Sequence, residues 1–524
     1  MTLSTAADLI NNHVAQQHTN SPSPLTGDDY MDVGGRAAPG AAAEGAQSAP
    51  AYIHGSDVTF TSVSNDTRNL TAGSLYVAIR GERFDGHAFL DQAQNAGAVA
   101  AMVDQVCNHT LPQLVVGDTR NGLGRLAGAW RHQFKGKIVG VTGSNGKTTV
   151  KEMIAAILAK RGEVLATRGN YNNDIGLPLT LLRLKNEKFA VIEMGANHSG
   201  EIAALTDIAR PDVALITNAG QAHLEGFGSL EGVARAKGEI YGGLPTGGVA
   251  IINADDVFAS YWLSINNKRR CLTFGMADAL THLRLAPTVP GFAPLATLSP
   301  PQAGEGKVES LCDISHRRAD VQGEWQATET GGELRVTTQD GDAVIQLPVP
   351  GRHNAMNALA AITAAAALGV TLDEARTALE AFAPVKGRLN FHRTPQGARL
   401  IDDTYNANPS SLKAGLQVLC DLPGEPWLVL GDMGELGDNS LALHTMAGEL
   451  AKQTGVQRLL AIGDNSRAAV AAFGDGASHY PSHESLVAVL TTELNKDVNV
   501  LVKGSRFMRM ERVVNAVVGG QNVV

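Results

Sequence analysis

The chain has 524 residues, 44% hydrophobic and 18% charged, the composition of an ordinary soluble globular protein. It is too long for one core, and at about 150 residues per domain it divides into roughly three to four units, of which three is the working number. The formal net charge of -9 excludes a nucleic-acid binder that recruits phosphates through a general basic field, so a polyanionic ligand must be held in a local pocket.

The N-terminal "MTLSTAADLINNHVAQQ" has neither a basic region nor a long apolar core, so no secretion signal is expected. Residues of about 17–50 are rich in Ala, Gly, Pro and Ser without periodicity and read as an insertion too poor in apolar surface to order itself. "SLYVAI" and "AVAAMV" then flank a helical segment, a small α/β domain over 1–135. From Lys137 the apolar runs "KIVGV", "FAVIEM", "DVALIT" and "GVAIIN" alternate with helical segments, the pattern of a parallel sheet covered on both faces, over 136–384. A second low-complexity stretch, about 285–307, reads as a variable loop. "AMNALAAITAAAALGV", from Ala355, is too short and alanine-rich to span a bilayer, so no membrane insertion is expected. Past "PVKGRLNF" the strands "ARLIDD", "PWLVLGD", "RLLAIGD" and "VNVLVKG" make 385–524 another doubly wound unit, with its ligand crevice at the strands' carboxyl ends. Cys107, Cys271, Cys312 and Cys420 are scattered without metal spacing, which fits unpaired thiols in a reducing, cytoplasmic compartment.

"GVTGSNGKTTVKEM" (Gly140 to Met153) ends as a phosphate loop does, with Gly146, Lys147 and Thr148 running into a helix, but Val141 stands where the Walker A pattern has its first glycine. Val150, Met153, Ile154, Ile157 and Leu158 fall on one helical stripe, and Gly162 supplies a stop. Strand, glycine turn and helix start form an anion site in which backbone N–H groups face a phosphate, Lys147 reaches the terminal one and Thr148 is placed for Mg²⁺. Glu193, at the end of "FAVIEM", is a candidate Mg²⁺ ligand at the same sheet edge, although solvation is the ordinary fate of a strand-end glutamate. His223 follows the next strand in a Gly-rich loop and is either a second ligand or a structural histidine.

The loop "TGSNGKTT", Gly143 to Thr149 with Ser144 and Asn145, resembles the variant phosphate loop of the Mur ligase and folylpolyglutamate synthase superfamily, whose members make amide bonds with ATP. The resemblance implies that Glu193 and His223 hold Mg²⁺, two ions in all. It also implies that Lys237 in "EGVARAKGEI", otherwise a solvated helix lysine, becomes a carbamate and a further anionic ligand. His353, Asn354 and Asn357 in "LPVPGRHNAMNALAA" match the adenine-contacting segment, where capping of their own helix is the plain alternative. Arg388, in the linker near Lys386, matches an arginine that reaches the nucleotide, and Asp403 the residue that meets ribose. "NYNNDIGLPLTLL", "EMGANHSGEI", "DDTYNANPSSLKAGL" and "VLGDMGELGDNSLALH" resemble the members that use D-alanyl-D-alanine and a UDP-MurNAc-tripeptide, while the "DNPR" of the preceding ligase is absent from the chain. The resemblance covers nearly the whole chain apart from the two insertions and the first few dozen residues. It assigns Asp66, Thr67 and Arg68 in "NDTRNLTAGSLYVAIRGERFDGH" to the uridine nucleotide and Asn172 to the same substrate, whereas Asp-Thr-Arg alone is a common surface turn. Asn406, Asn408, Ser505 and Arg506 are candidates for the dipeptide, and a monomer without nucleic-acid partners is expected. A folate polyglutamate ligase, or a nucleotide-binding scaffold without activity, is the competing expectation.

Overall fold

The computed structural model describes residues 1–20, 50–82, 84–220, 224–277 and 319–519. The two low-complexity stretches lie outside these, except that 17–20 complete the helix Leu3–Asn20 and Pro50 opens the chain that follows. Two compact units emerge. One contains Met1–Gly136, Thr167–Glu187 and Asp207–Arg210, the other Lys137–Ala166, Lys188–Thr206 and Pro211–Val524.

In the first unit a five-stranded sheet runs Tyr52–His54, Gln113–Val115, Ala98–Val103, Ser74–Val77, Ser62–Ser64, with only the first pair antiparallel. Leu75, Val77, Met102 and Leu114 of the sheet bury against Leu3 and Ile10 of the first helix and Leu123 and Leu126 of the helix Thr119–Gln133. Asp118 caps that second helix by accepting from the Asn121 N–H. The segment 167–187 joins this core through Leu179, an Arg120–Asp174 ion pair at 2.8 Å, and a 3.0 Å bond from the Trp130 indole to the Leu184 carbonyl.

The second unit carries two sheets. The first has nine strands in the order Gly341–Leu347, Gly332–Thr338, Val321–Ala327, Arg270–Met276, Val249–Asn253, Val213–Ile216, Lys137–Thr142, Phe189–Glu193, Val164–Ala166. The seven from Val321–Ala327 onward are parallel, and the first two form an antiparallel meander onto them. The four apolar runs read from the sequence are its central strands. The meander escaped that reading although Gly332–Thr338 alternates buried and outward residues around a two-residue turn at Gln339 and Asp340. The six-stranded sheet is ordered Asn390–Arg393, Arg399–Asp403, Val498–Lys503, Glu425–Gly431, Arg458–Ile462, Ala477–Tyr480, parallel apart from its first pair. Cys107, Cys271 and Cys420 form no disulfide among the described residues, and Cys312 lies outside them. No helix among the described residues is long and apolar enough to cross a membrane.

Candidate active site

The strand Lys137–Thr142 lies between Phe189–Glu193 and Val213–Ile216, so the loop that leaves it emerges mid-sheet, where flanking strand ends converge. Val141 is fully buried in the sheet core; the glycine demand has moved one turn on. Gly143 has φ +148°, and a Cβ there would stand 1.8 Å from the Thr217 hydroxyl; Gly146 has φ +81° and would meet the Asn357 amide oxygen at 2.4 Å. The helix Lys147–Leu158 then buries Val150, Met153, Ile154, Ile157 and Leu158 completely.

The loop is held from outside itself. Ser144 N donates to the Asn218 carbonyl at 3.0 Å and Asn145 N to the Asn218 side chain at 3.0 Å, while the Thr217 hydroxyl donates to the Asn145 carbonyl at 2.6 Å. The Asn408 amide donates to Asn145 Oδ1 at 2.8 Å, joining the start of the helix Pro409–Cys420 to the phosphate loop. Lys147 Nζ folds back to the Gly143 carbonyl at 2.7 Å, across the anion position. Its enclosure pushes the ammonium below the usual lysine range, with Glu193 opposing and Arg388 reinforcing the shift.

Thr148 and Glu193 are both buried, and the hydroxyl donates to Glu193 Oε2 at 3.0 Å. Two hard oxygen donors beside an anion loop fit Mg²⁺, which takes few protein ligands and fills its shell with phosphate and water oxygens. Among the described residues no group of three or more His, Cys, Asp or Glu gathers. Lys237, on the helix Leu230–Gly238, is 2% exposed with Nζ 5.8 Å from the Phe227 ring centre. Burial, and then the Lys147 charge, push its amine well below the usual lysine range. His223 lies outside the described residues.

A cavity of about 890 Å³ opens beside the loop, lined by Asn145, Gly146, Thr149, His353, Asn354, Asn357, Arg388, Asp403 and Lys503 among others. It brings together expected residues that stand far apart in the sequence. Asn354, in the first turn of the helix Arg352–Ala366, donates its amide to the Pro350 carbonyl at 2.7 Å and accepts from the Asn357 amide at 3.1 Å. The helix has Gly351 at its N-cap and no side-chain cap, so the plain capping alternative is not what these residues do, and His353, Asn354 and Asn357 line the cavity instead. Arg388 stacks over Tyr405 at 4.2 Å, and its buried Nε has no hydrogen-bond partner, a donor suited to an anion in the cavity. Asp403 and Lys503 form a buried pair at 2.5 Å. Sequence reasoning found Asp403 and missed Lys503, which closes "VNVLVK" on the neighbouring strand; Asn218 and Tyr405 were missed likewise.

Three family models match the chain: "Mur ligase family, catalytic domain" over residues 59–129, "Mur ligase middle domain" over 141–290, and "Mur ligase, glutamate ligase domain" over 387–506. The chain is 43% identical over 467 residues to the UDP-N-acetylmuramoyl-tripeptide--D-alanyl-D-alanine ligase of Escherichia coli (strain K12), covering 88% of this chain and 95% of that one. This chain belongs to the Mur ligase family. Among solved structures it resembles MurF from Acinetobacter baumannii, 35% identical with a TM-score of 0.75 over 87% of this chain and 93% of that one. It also resembles the MurF ligase from Thermotoga maritima in complex with ADP, 28% identical with a TM-score of 0.71 over 87% and 96%.

Two further regions of this Mur ligase carry expected residues. A cavity of about 820 Å³ in the C-terminal sheet region is lined by Asn406, Gly434, Glu435, Ser505, Arg506, Phe507, Arg509, Glu511 and Arg512. Ser505 accepts from the Gly434 N–H at 2.7 Å and donates to the Ala407 carbonyl at 3.2 Å. Asn408 is not among the lining residues: its oxygen caps a helix and its nitrogen holds Asn145. In the first unit Arg68 grips Asp66 through two bonds of 2.9 Å, which hold the carboxyl at about pKa 2. Thr67 is half-buried between them, and Asn172 belongs to the segment that packs into the same unit.

Proposed function

We propose that this Mur ligase joins D-alanyl-D-alanine to UDP-N-acetylmuramoyl-tripeptide with ATP, in the cytoplasm, as a step of peptidoglycan precursor synthesis. One observation carries the reading: the phosphate loop, the His353–Asn357 helix start, Arg388 and the Asp403–Lys503 pair face a single cavity. They do so in a chain 43% identical to a ligase of that name over 88% of its length. Domains over 1–135, 136–384 and 385–524 divide the work as tripeptide, ATP and dipeptide sites.

The terminal carboxylate of the tripeptide attacks the ATP γ-phosphorus and ADP leaves, giving an acyl phosphate. The dipeptide amine then attacks the acyl carbon, and the tetrahedral adduct expels phosphate to leave the amide. Both steps bring anions together or spread charge over oxygen, so the protein acts chiefly by placing donors and excluding water. Loop N–H groups at Gly143 and from Gly146 to Thr149 hold the phosphates, Ser144 and Asn145 keep the loop in shape through their N–H bonds to Asn218, and Lys147, on leaving the Gly143 carbonyl it now contacts, meets the transferred phosphate. Arg388 supplies its unpartnered Nε to the same anion. Asn354 and Asp403 contact the nucleoside. Thr148 and Glu193, with His223 as a further ligand, would hold Mg²⁺, which would supply neutralisation of phosphate charge. Asp66, Thr67, Arg68 and Asn172 bind the UDP-sugar peptide, and Asn406, Ser505 and Arg506 face the dipeptide, with Asn408 acting through Asn145.

Lys237 is a carbamate in the working enzyme. Its buried site favours the neutral amine, which adds to CO₂ and releases one proton, placing an anion beside Lys147 where the free amine carries no charge. Lys237→Ala loses activity and regains part of it with short carboxylic acids, and ¹³CO₂ labels a carbamate carbonyl in wild-type protein; a variant indifferent to both removes the carbamate.

The deciding experiment measures phosphate release by the full chain with ATP, UDP-MurNAc-tripeptide and D-alanyl-D-alanine, with the amide product identified by mass spectrometry. Release requires both substrates and disappears in Lys147→Ala. Turnover with folate and glutamate in their place overturns the reading. Comparing tripeptides ending in diaminopimelate and in lysine identifies the third residue.

A further inference from the structure

Beyond the strand Glu425–Gly431 the chain forms a loop whose base is held by hydrogen bonds. The Asp432 carboxylate accepts from Ser466 N at 2.8 Å, Met433 N donates to His444 at 3.0 Å, and Gly434 N is held by Ser505. Glu435 at the tip is exposed and left-handed, with φ +61°. Among the described residues only four non-glycines have positive φ, and two of them, Glu435 and Arg509 (φ +51°), line the same 820 Å³ cavity. Such backbone is costly for a non-glycine residue and persists where the surroundings over-determine it, as at ligand sites.

The same loop reaches toward the ATP side. Two residues past Glu435, a Cβ on Gly437 would lie 3.3 Å from Glu225 Cβ in the central region. Glu435 thus lines the cavity on the stretch of loop that meets the helix Leu224–Phe227 of the central region. The cavity's cations differ in a telling way. Arg506 has Glu511 at 3.5 Å and Arg512 has Glu484 at 3.6 Å, whereas the Arg509 guanidinium makes no ion pair or hydrogen bond among the described residues. One unengaged guanidinium and one exposed carboxylate, in a cavity with its acidic end toward the central region, match a zwitterion entering amine-first.

On the ligase reading above, on which the assignment rests, we infer that Glu435 receives the dipeptide's amino end and takes its proton during amide formation, while Arg509 holds the dipeptide carboxylate. An ammonium loses two protons on becoming an amide N–H. The first goes to solvent, leaving an amine whose lone pair bonds to the acyl carbon. The second passes from the nitrogen of the tetrahedral adduct to a Glu435 oxygen as the C–O bond to phosphate breaks and phosphate leaves with the electron pair. Glu435 returns its proton to water after product release.

Hydroxylamine separates this role from the rest of the enzyme, because it is neutral near pH 7.5 and traps an acyl phosphate as a hydroxamate without needing a positioned base. Glu435→Gln lowers amide formation about 100-fold or more while tripeptide-dependent hydroxamate formation stays within about threefold, the loss expected for a missing general base. Glu435→Asp recovers part of the rate, and the melting temperature of each variant matches wild type. Arg509→Gln raises KM for D-alanyl-D-alanine about 10- to 100-fold, as for a lost charge-assisted hydrogen bond, and abolishes the wild-type preference for the free dipeptide over its C-terminal amide. Glu435→Gln ligating at the wild-type rate, or losing hydroxamate and amide in parallel, overturns the assignment. A wild-type chain that forms neither product overturns the ligase reading itself and Glu435's role with it.

Discussion

At Gly143 a single hydrogen separates a working loop from a clash. The Thr217 hydroxyl that a Cβ would strike at 1.8 Å is the same one that holds the Asn145 carbonyl, so it cannot swing away without releasing the loop. Gly143→Ala therefore costs about 1–3 kcal/mol of stability and removes nucleotide binding, read by melting and by nucleotide titration; unchanged affinity would show that the loop rearranges freely. His353 gives a pH signature. Its burial pushes the imidazole from 6.5 down to about 4, against the pull of Asp403. Between those values the unfolded chain binds the proton and the native one does not, so stability is constant above about 6.5 and falls as pH drops toward 4. His353→Gln flattens that part of a melting-temperature profile by on the order of 1 kcal/mol; a profile unchanged by the substitution excludes His353 as its source. Lys147 could be read from the chain because its spacing to Gly146 and Thr148 is local. Lys503 could not, because what makes it a site residue is an ion pair with Asp403 across 100 residues.

The helix Pro409–Cys420 shows how an element can serve two purposes at its first residue. Asn408 accepts from Ser411 N as a cap, followed by a proline at the first helical position, and donates to Asn145 from the same side chain. The two roles come apart in a pair of variants. Asn408→Ser keeps a capping oxygen but gives up the reach to Asn145, so stability holds while KM for ATP rises; Asn408→Ala loses the cap as well, at a further cost of about 1 kcal/mol. Equal KM values for wild type and Asn408→Ser would show that the bond to Asn145 is structural only. The long, wholly buried strands announced themselves because a two-sided sheet needs continuous apolar runs. Val164–Ala166, Asn390–Arg393 and Ala477–Tyr480 were silent, being three- or four-residue edge strands of half-buried side chains whose place is set by the neighbour they pair with.

Across the whole molecule, the assignment of substrates to units turns on Thr167–Glu187, which leaves the central sheet after Val164–Ala166 and packs with the N-terminal residues before returning at Phe189. Nothing in its composition signals this: Leu179 looks like any helix leucine, and its burial beside Leu75 and Leu123 is a property of the folded unit. The consequence is physical. Asn172 and the Asp66–Arg68 turn belong to one compact unit, while the phosphate loop, Asn354, Arg388 and Asp403 belong to the other. A ligand slows amide hydrogen exchange in the unit whose native state it binds, by RT ln(1 + [L]/Kd), about 2.7 kcal/mol at a hundredfold excess over Kd. UDP-MurNAc-tripeptide should therefore protect segments 62–80 and 167–187 together, and a non-hydrolysable ATP analogue should protect 143–158, 351–366 and 403–420 together. In Lys147→Ala the second set loses its protection and the first keeps it. Protection of 62–80 without 167–187, or protection of the first set by the ATP analogue alone, would detach Asn172 from the uridine-nucleotide site and reassign that segment to the ATP side.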